Sequence, residues 1–166
     1  MMLSRFPAAL LATLICNAAR ADTRPSLCQA SEVAIFSCAI GSKIASLCAS
    51  PDLGPSQGSL AYRFGRKGAI ELIHPEAPMP PDQAFNTAVV GDAGFAGDIV
   101  RFSRGETRYT LYSIIVRGQG DRDGILVSRA GRKLADLKCK DFALGTDAWK
   151  LLYRAKLPQA EPASLD

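Results

Sequence analysis

The sequence predicts an all-β fold: an antiparallel meander of about eight to nine strands, closed as a barrel or packed as a sandwich, with one short C-terminal helix. Three observations lead there. Between residues 32 and 139, short runs of alternating polarity recur, separated by Gly, Pro and Asp, as antiparallel strands require. Turn-forming pairs and triplets stand between those runs at hairpin spacing. Four cysteines follow an N-terminal export signal, a usage that suits a small domain matured in an oxidising compartment.

The signal comprises Arg5, an apolar run over residues 6–16 and the small-residue stretch Asn17-Ala18-Ala19-Arg20-Ala21. Ala19-Arg20-Ala21 fits the A-x-A cleavage pattern, so residues 1–21 are expected to be removed and Asp22 to be the first mature residue. A spanning helix takes roughly 20 apolar residues, and nothing after Asp22 approaches that, so no transmembrane segment is expected after cleavage. Ile15 before Cys16 does not fit a lipid-anchor site, which takes a small residue there. Cleavage discards Arg5 and Arg20, taking the formal net charge from +4 to about +2. It also discards Cys16, leaving Cys28, Cys38, Cys48 and Cys139 for two disulfides in any of three pairings. No metal or cofactor is expected, because these cysteines lack C-x-x-C spacing and the sole histidine is His74. The mature length supports one core, so residues 22–156 read as a single β domain. Residues 157–166 carry two prolines and no aromatic or β-branched residue, and read as a disordered tail.

Taken in order, residues 33–39 and 43–48 flank Gly41-Ser42, suited to a two-residue turn because Gly accepts positive φ at its first position. Residues 59–65 and 69–74 flank Arg66-Lys67-Gly68, a three-residue loop. Its register sets Phe64 opposite Ile70, Tyr62 opposite Leu72, Leu60 opposite His74 and Arg63 opposite Glu71. Strands follow near residues 85–90 and 97–103. Residues 107–117 form the longest run, with Tyr109, Leu111 and Ile115 on one face and Tyr112, Ile114 and Val116 on the other, and are expected to lie centrally, covered on both sides. The connection at Ser103-Arg104-Gly105-Glu106 supports two registers. Residues 124–128 and 132–137 flank Arg129-Ala130-Gly131, a register that sets Leu126 against Leu134. Residues 146–153 make a short capped helix placed against an open end.

Phe36-Ser37-Cys38, Ser46-Leu47-Cys48-Ala49-Ser50, Tyr62-Arg63-Phe64-Gly65 and Leu137-Lys138-Cys139 resemble motifs of small secreted proteobacterial proteins of unknown function, over most of the mature chain. The resemblance implies an exported β domain and carries no chemistry with it. Gly105-Glu106-Thr107-Arg108-Tyr109, after Phe102 and Ser103, is similar to the S-G-x-x-Y segment of the membrane-bound and periplasmic lysozyme inhibitors, which are exported antiparallel barrels. Here Arg104 separates Ser103 from Gly105 and the tyrosine stands one position further on. That likeness implies Arg104, Glu106, Arg108 and Tyr109 as binding residues.

A partner that captures a cationic lysozyme should present negative charge, whereas the mature chain is slightly basic. Arg101, Arg104 and Arg108 beside Arg63, Arg66 and Lys67 suggest instead a positive surface for an anionic envelope polymer or an acidic partner. No basic stripe with an aromatic platform marks a nucleic-acid binder, and export removes that partner. For catalysis His74 is the natural base, with Glu76 or Glu71 to orient it and a serine as nucleophile, but a lone histidine before Pro75 reads as a strand boundary, so no catalytic residue is assigned. Asp121-Arg122-Asp123-Gly124 lacks the further ligands of a calcium loop and reads as a turn. The sequence thus points to a periplasmic or secreted, non-enzymatic binding protein of the bacterial envelope, in its sharper form an inhibitor of, or immunity protein against, a cell-wall-degrading enzyme. The alternatives are a periplasmic hydrolase using His74 and a structural envelope protein that binds anionic polymers.

Overall fold

In the computed structural model the chain is described at residues 25–141, 143 and 148–160. The expected export signal, residues 1–21, lies outside the described residues. Among the described residues nine strands run in sequence: β1 (Val33–Ile40), β2 (Lys43–Ala49), β3 (Leu60–Arg66), β4 (Ala69–His74), β5 (Asn86–Asp92), β6 (Phe95–Arg104), β7 (Thr107–Val116), β8 (Gly120–Arg129) and β9 (Arg132–Lys138). A single helical turn, α1 (Pro81–Ala84), precedes β5, and α2 (Ala148–Ala155) follows β9. All pairings between these strands are antiparallel, in a four-stranded sheet β1-β2-β3-β4 and a five-stranded sheet β5-β6-β7-β8-β9. The meander is therefore a sandwich of two sheets and not a closed barrel.

Side chains from both sheets share one core. Ile35, Leu47 and Tyr62 from the first sheet meet Val100, Phe102, Leu111 and Ile125 from the second, with Leu152 of α2 and Leu157 at its margin. Tyr62 and Phe102 bring their ring centroids to 5.0 Å across the interface. A second cluster, Ala88, Val90, Ile99, Tyr112, Ile114 and Leu126, lies on the opposite face of the five-stranded sheet. β7 is central, as its length predicts, yet on the core-facing side cover ends before Ile115, which is 64% exposed. Close strand contact at the second cluster depends on Gly97, where an added Cβ would stand 2.6 Å from the Ile114 Cα and press on the Ser113 carbonyl. Gly97→Ala should therefore lower stability by about 3 kcal/mol, read as a shift of the urea midpoint, with an unchanged midpoint contradicting this packing.

Two predicted registers are corrected. Tyr62 lies opposite His74 and Phe64 opposite Leu72, not Leu72 and Ile70; Arg63 faces Ile73, not Glu71. The turn is tighter than expected, Arg66 pairing directly with Ala69, and a bulge between Phe64 and Gly65 absorbs Glu71 as an extra residue. Gly65 allows this with φ 148°, a conformation in which a Cβ would strike backbone. The β8–β9 hairpin repeats the device: Arg129 pairs with Arg132 around Ala130 (φ 47°) and Gly131 (φ 76°), and Leu126 meets Asp136, not Leu134. Leu134 becomes the bulged residue and is 57% exposed. The Gly41 turn is as expected, with Ile40 opposite Lys43 and φ 61° at Gly41. Asp121 to Gly124 form part of β8 and not a turn; Gly118 and Gly120, both at positive φ, take the turn instead.

Flanking chain covers two of the four sheet edges, β1 and β5. Beyond β9, the Lys140 amide donates to the Ala39 carbonyl at 3.1 Å, and the Ser37 amide donates to the Ala143 carbonyl at 2.8 Å, covering β1. The predicted helix is present over Ala148–Ala155, and its first two predicted residues, 146 and 147, lie outside the described ones. Its buried Ala148, Leu152 and Ala155 share one face, and Arg154 in its last turn donates to the carbonyls of Leu53 and Pro51, both at 3.1 Å. The tail reading is corrected for residues 157–160: Leu157 is 4% exposed, the Thr87 amide donates to the Pro158 carbonyl at 2.9 Å, and the Ala160 amide donates to the Thr87 carbonyl at 2.6 Å. Those backbone bonds occupy the β5 edge, which supplies the partners that the segment's composition does not reveal. Residues 161–166 lie outside the described residues.

Candidate functional site

Cys28 bonds Cys48 and Cys38 bonds Cys139, which settles the pairing that the sequence leaves open. The second bridge ties β1 to the residue after β9 and so joins the two sheets. The first fastens residues 25–32 over the outer face of β1 to β3. There the Leu27 amide donates to Ser46 Oγ at 3.0 Å, Ser37 Oγ donates to the Pro25 carbonyl at 2.7 Å, and Arg63 grips both Glu32 oxygens at 2.7 and 2.9 Å. Cys28, Glu32 and Cys48 come within 4.8 Å of one another, but the sulfurs are joined and the carboxylate belongs to Arg63, so the group is not a ligand set.

His74 ends β4 inside an aromatic group. Its ring stacks on Phe102 at 4.4 Å and 15°, meets the edge of Phe85 at 5.2 Å, and its Nε2 lies 3.1 Å from the Ala84 carbonyl. Burial holds its pKa below the usual 6.5, with Arg104 adding to the effect, against the raising effects of the Ala84 hydrogen bond and Glu76. A neutral ring donating from Nε2 satisfies that carbonyl. Both proposed orienting carboxylates have cationic partners, Glu71 with Lys43 at 2.5 Å and Glu76 with Arg104.

Of the residues singled out for binding, Tyr109 is turned into the core. It is half-buried and stacks on Phe102 at 4.8 Å and 7°, so it is not part of an exposed loop. Arg104, Glu106 and Arg108 surround the β6–β7 turn, where Arg104 pairs with Thr107 in the ladder and Ser103 with Arg108, resolving the register. Arg63, Arg66 and Lys67 do not join them: Arg63 is held by Glu32, and Arg66 bonds Ser42 at the opposite end of β3 from the residues facing His74.

The neighbours of the β6–β7 turn come instead from β8–β9, a proximity that sequence distance conceals. Thr107 lies opposite Arg129, and Arg129 opposite Arg132; one step inward, Ser103, Arg108, Ser128 and Lys133 form a row across four strands. Side chains of directly paired residues project from the same face, so this row places Arg108 and Lys133 on one surface with Ser128 between them and Ser103 on the far side of Arg108. Arg101 stands on that face one row further in, its Nε donating to Thr110 Oγ1 at 3.3 Å. Burial first, and Arg108 beside it second, lower the Arg101 pKa. A cleft of about 290 Å³ opens here, lined by Ser103, Gly105, Glu106, Arg108, Ser128 and the following turn.

A larger recess of about 490 Å³ lies where β9 leaves β8, with Asp121, Asp123, Asp136 and Asp141 interleaved with Arg122, Lys138 and Lys140. Tyr112 donates to Asp136 at 2.8 Å and Asp123 accepts from the Ala143 amide at 2.8 Å, so two of its carboxylates already serve the fold. No helix among the described residues is long and apolar enough to cross a membrane. The fold and its surface define a disulfide-linked β-sandwich with a cationic hairpin end. No protein-family model, curated protein or solved structure matches this chain.

Proposed function

We propose that this chain is an exported, non-enzymatic binding protein of the cell envelope, periplasmic or secreted, that engages an anionic envelope polymer through the end of the sandwich formed by the β6–β7 and β8–β9 hairpins. The observation that carries this reading is the environment of Arg108, whose cross-strand neighbours Ser103 and Ser128 are both neutral hydrogen-bonding residues, with Lys133 next along the same row. Elsewhere Arg63, Lys43 and Arg104 each meet a carboxylate. Arg108 and Lys133 stand two strands apart in one row of the same face, and an anion placed over them relieves their mutual repulsion.

The inhibitor form of the binding reading gains less support. The residue most important to it, Tyr109, is committed to stacking, and the hairpin end carries the charge sign of a cationic lysozyme itself. The two disulfides favour an extracytoplasmic site of action.

His74→Phe discriminates binding from hydrolysis. Phenylalanine keeps the stacking and loses only the bond to Ala84, at a cost of about 1 kcal/mol. The exported protein and its variant should cosediment equally with isolated envelope fragments. A hydrolytic turnover present in the parent and abolished in a folded His74→Phe protein would replace the binding reading with the enzymatic one.

A further inference from the structure

We propose that the cross-strand row Ser103–Arg108–Ser128 is a cradle for a phosphate group carried on an envelope glycan, an inference that rests on the binding reading above and names the group recognised. Arg108 sits on β7 with Ser103 directly opposite on β6 and Ser128 directly opposite on β8. Neighbouring strands lie about 4.8 Å apart, so Arg108 is flanked on each side by a serine at one strand spacing, the two hydroxyls standing at the base of its longer side chain in the same cleft. A tetrahedral phosphate offers several acceptor oxygens in different directions, and can take the Arg fork on one side and a serine on each flank; a planar carboxylate has only two oxygens and suits the fork alone.

The surrounding cleft selects for more than charge. Its volume of about 290 Å³ admits a phosphate with an attached sugar, and both enclosing turns are built on glycine, Gly105 and Gly131, at positive φ. Glu106 on the rim repels a bare anion but accepts hydrogen bonds from sugar hydroxyls, which favours a phosphate presented on a polyhydroxylated carrier. Lys133 continues the row at the strand after Ser128, two strand spacings from Arg108, and meets a neighbouring charge of the same polymer.

The test uses the protein as exported from the full-length chain and isothermal titration at fixed ionic strength with a poly(glycerol phosphate), with polygalacturonate as the carboxylate probe. Arg108→Ala should weaken binding of the phosphate polymer about 10-fold, as loss of one charge-assisted contact predicts, and the double variant Ser103→Ala, Ser128→Ala should weaken it by a comparable factor without any change of charge. Arg66→Ala, which removes a cation bonded to Ser42 at the other end of β3, should leave affinity within about 2-fold. An unchanged urea midpoint certifies the folding of each variant. Equal losses in Arg66→Ala and Arg108→Ala, unaltered binding in the serine double variant, or polygalacturonate bound as tightly as the phosphate polymer would each overturn the cradle. Envelope cosedimentation that survives Arg108→Ala alongside such a result leaves the binding reading standing, whereas His74-dependent turnover removes that reading itself.

Discussion

Replacing Cys38 and Cys139 together by serine lowers stability by about 5 kcal/mol, the larger of the two disulfide effects. The bridge spans a sequence separation of 101 residues, and closing so long a loop removes most of the freedom of the unfolded chain. The corresponding change at Cys28 and Cys48, separated by 20 residues, costs about 3 kcal/mol by the same reasoning. Single domains are stable by roughly 5–15 kcal/mol, so the first variant should be largely unfolded under conditions where the second still folds. Urea titration followed by tryptophan fluorescence, with Trp149 packed against the core, ranks the two directly. Equal midpoints for both variants would show that the Cys38–Cys139 link adds nothing beyond local pinning.

Glu32→Ala produces the second large effect, about 3–5 kcal/mol, because it strands the Arg63 guanidinium on a covered sheet face. Both side chains are mostly enclosed, at 11% and 12% exposure, and the bonding is bidentate. Glu32→Leu combined with Arg63→Met removes the charges as a pair and should recover most of the loss; a double variant as unstable as Glu32→Ala would contradict the argument.

The same pair gives a pH signature. Desolvation pushes the Glu32 pKa upward, but the Arg63 hydrogen bonds, the Gln29 amide and the Arg63 charge outweigh it and hold the group below its ordinary 4.5. A depressed folded pKa means that the unfolded state binds the proton more readily, so this stabilisation is complete above 4.5 and lost as pH falls below it. His74 is also depressed, from 6.5, so its contribution declines earlier in an acid titration, below about 6.5. Stability should therefore fall in two steps on acidification, and His74→Phe should remove the first while Glu32→Gln removes the second. A single step unchanged by either substitution would contradict both assignments.

The hairpins were legible because turn chemistry is local. Gly41-Ser42, Lys67-Gly68 and Ala130-Gly131 each need positive φ at a glycine, and the strands on either side alternate in polarity. Register within two of them was not. A bulge adds one residue to one strand, as at Glu71 and Leu134, and the choice depends on which side chains the opposing sheet accepts, so Phe64 and Leu72 meet where a regular ladder would separate them. The docking of Leu157 to Ala160 was illegible for a similar reason: its bonds go to Thr87 on a strand some seventy residues away, and the composition of the segment records nothing of an open edge.

Tyr109 and Arg108 illustrate the division at the site. Adjacent residues of a strand project from opposite faces, so Tyr109 and Arg108 cannot both enter the core between the sheets; which one does so was settled by Phe102, whose ring receives Tyr109. Local pattern was enough for the all-β class and for a meander of about eight to nine strands, since each depends on neighbours within a few residues. The cysteine pairing, the enclosure of His74 and the row that puts Ser103, Arg108 and Ser128 side by side required the folded chain, because each joins residues that only sheet packing or strand register makes neighbours.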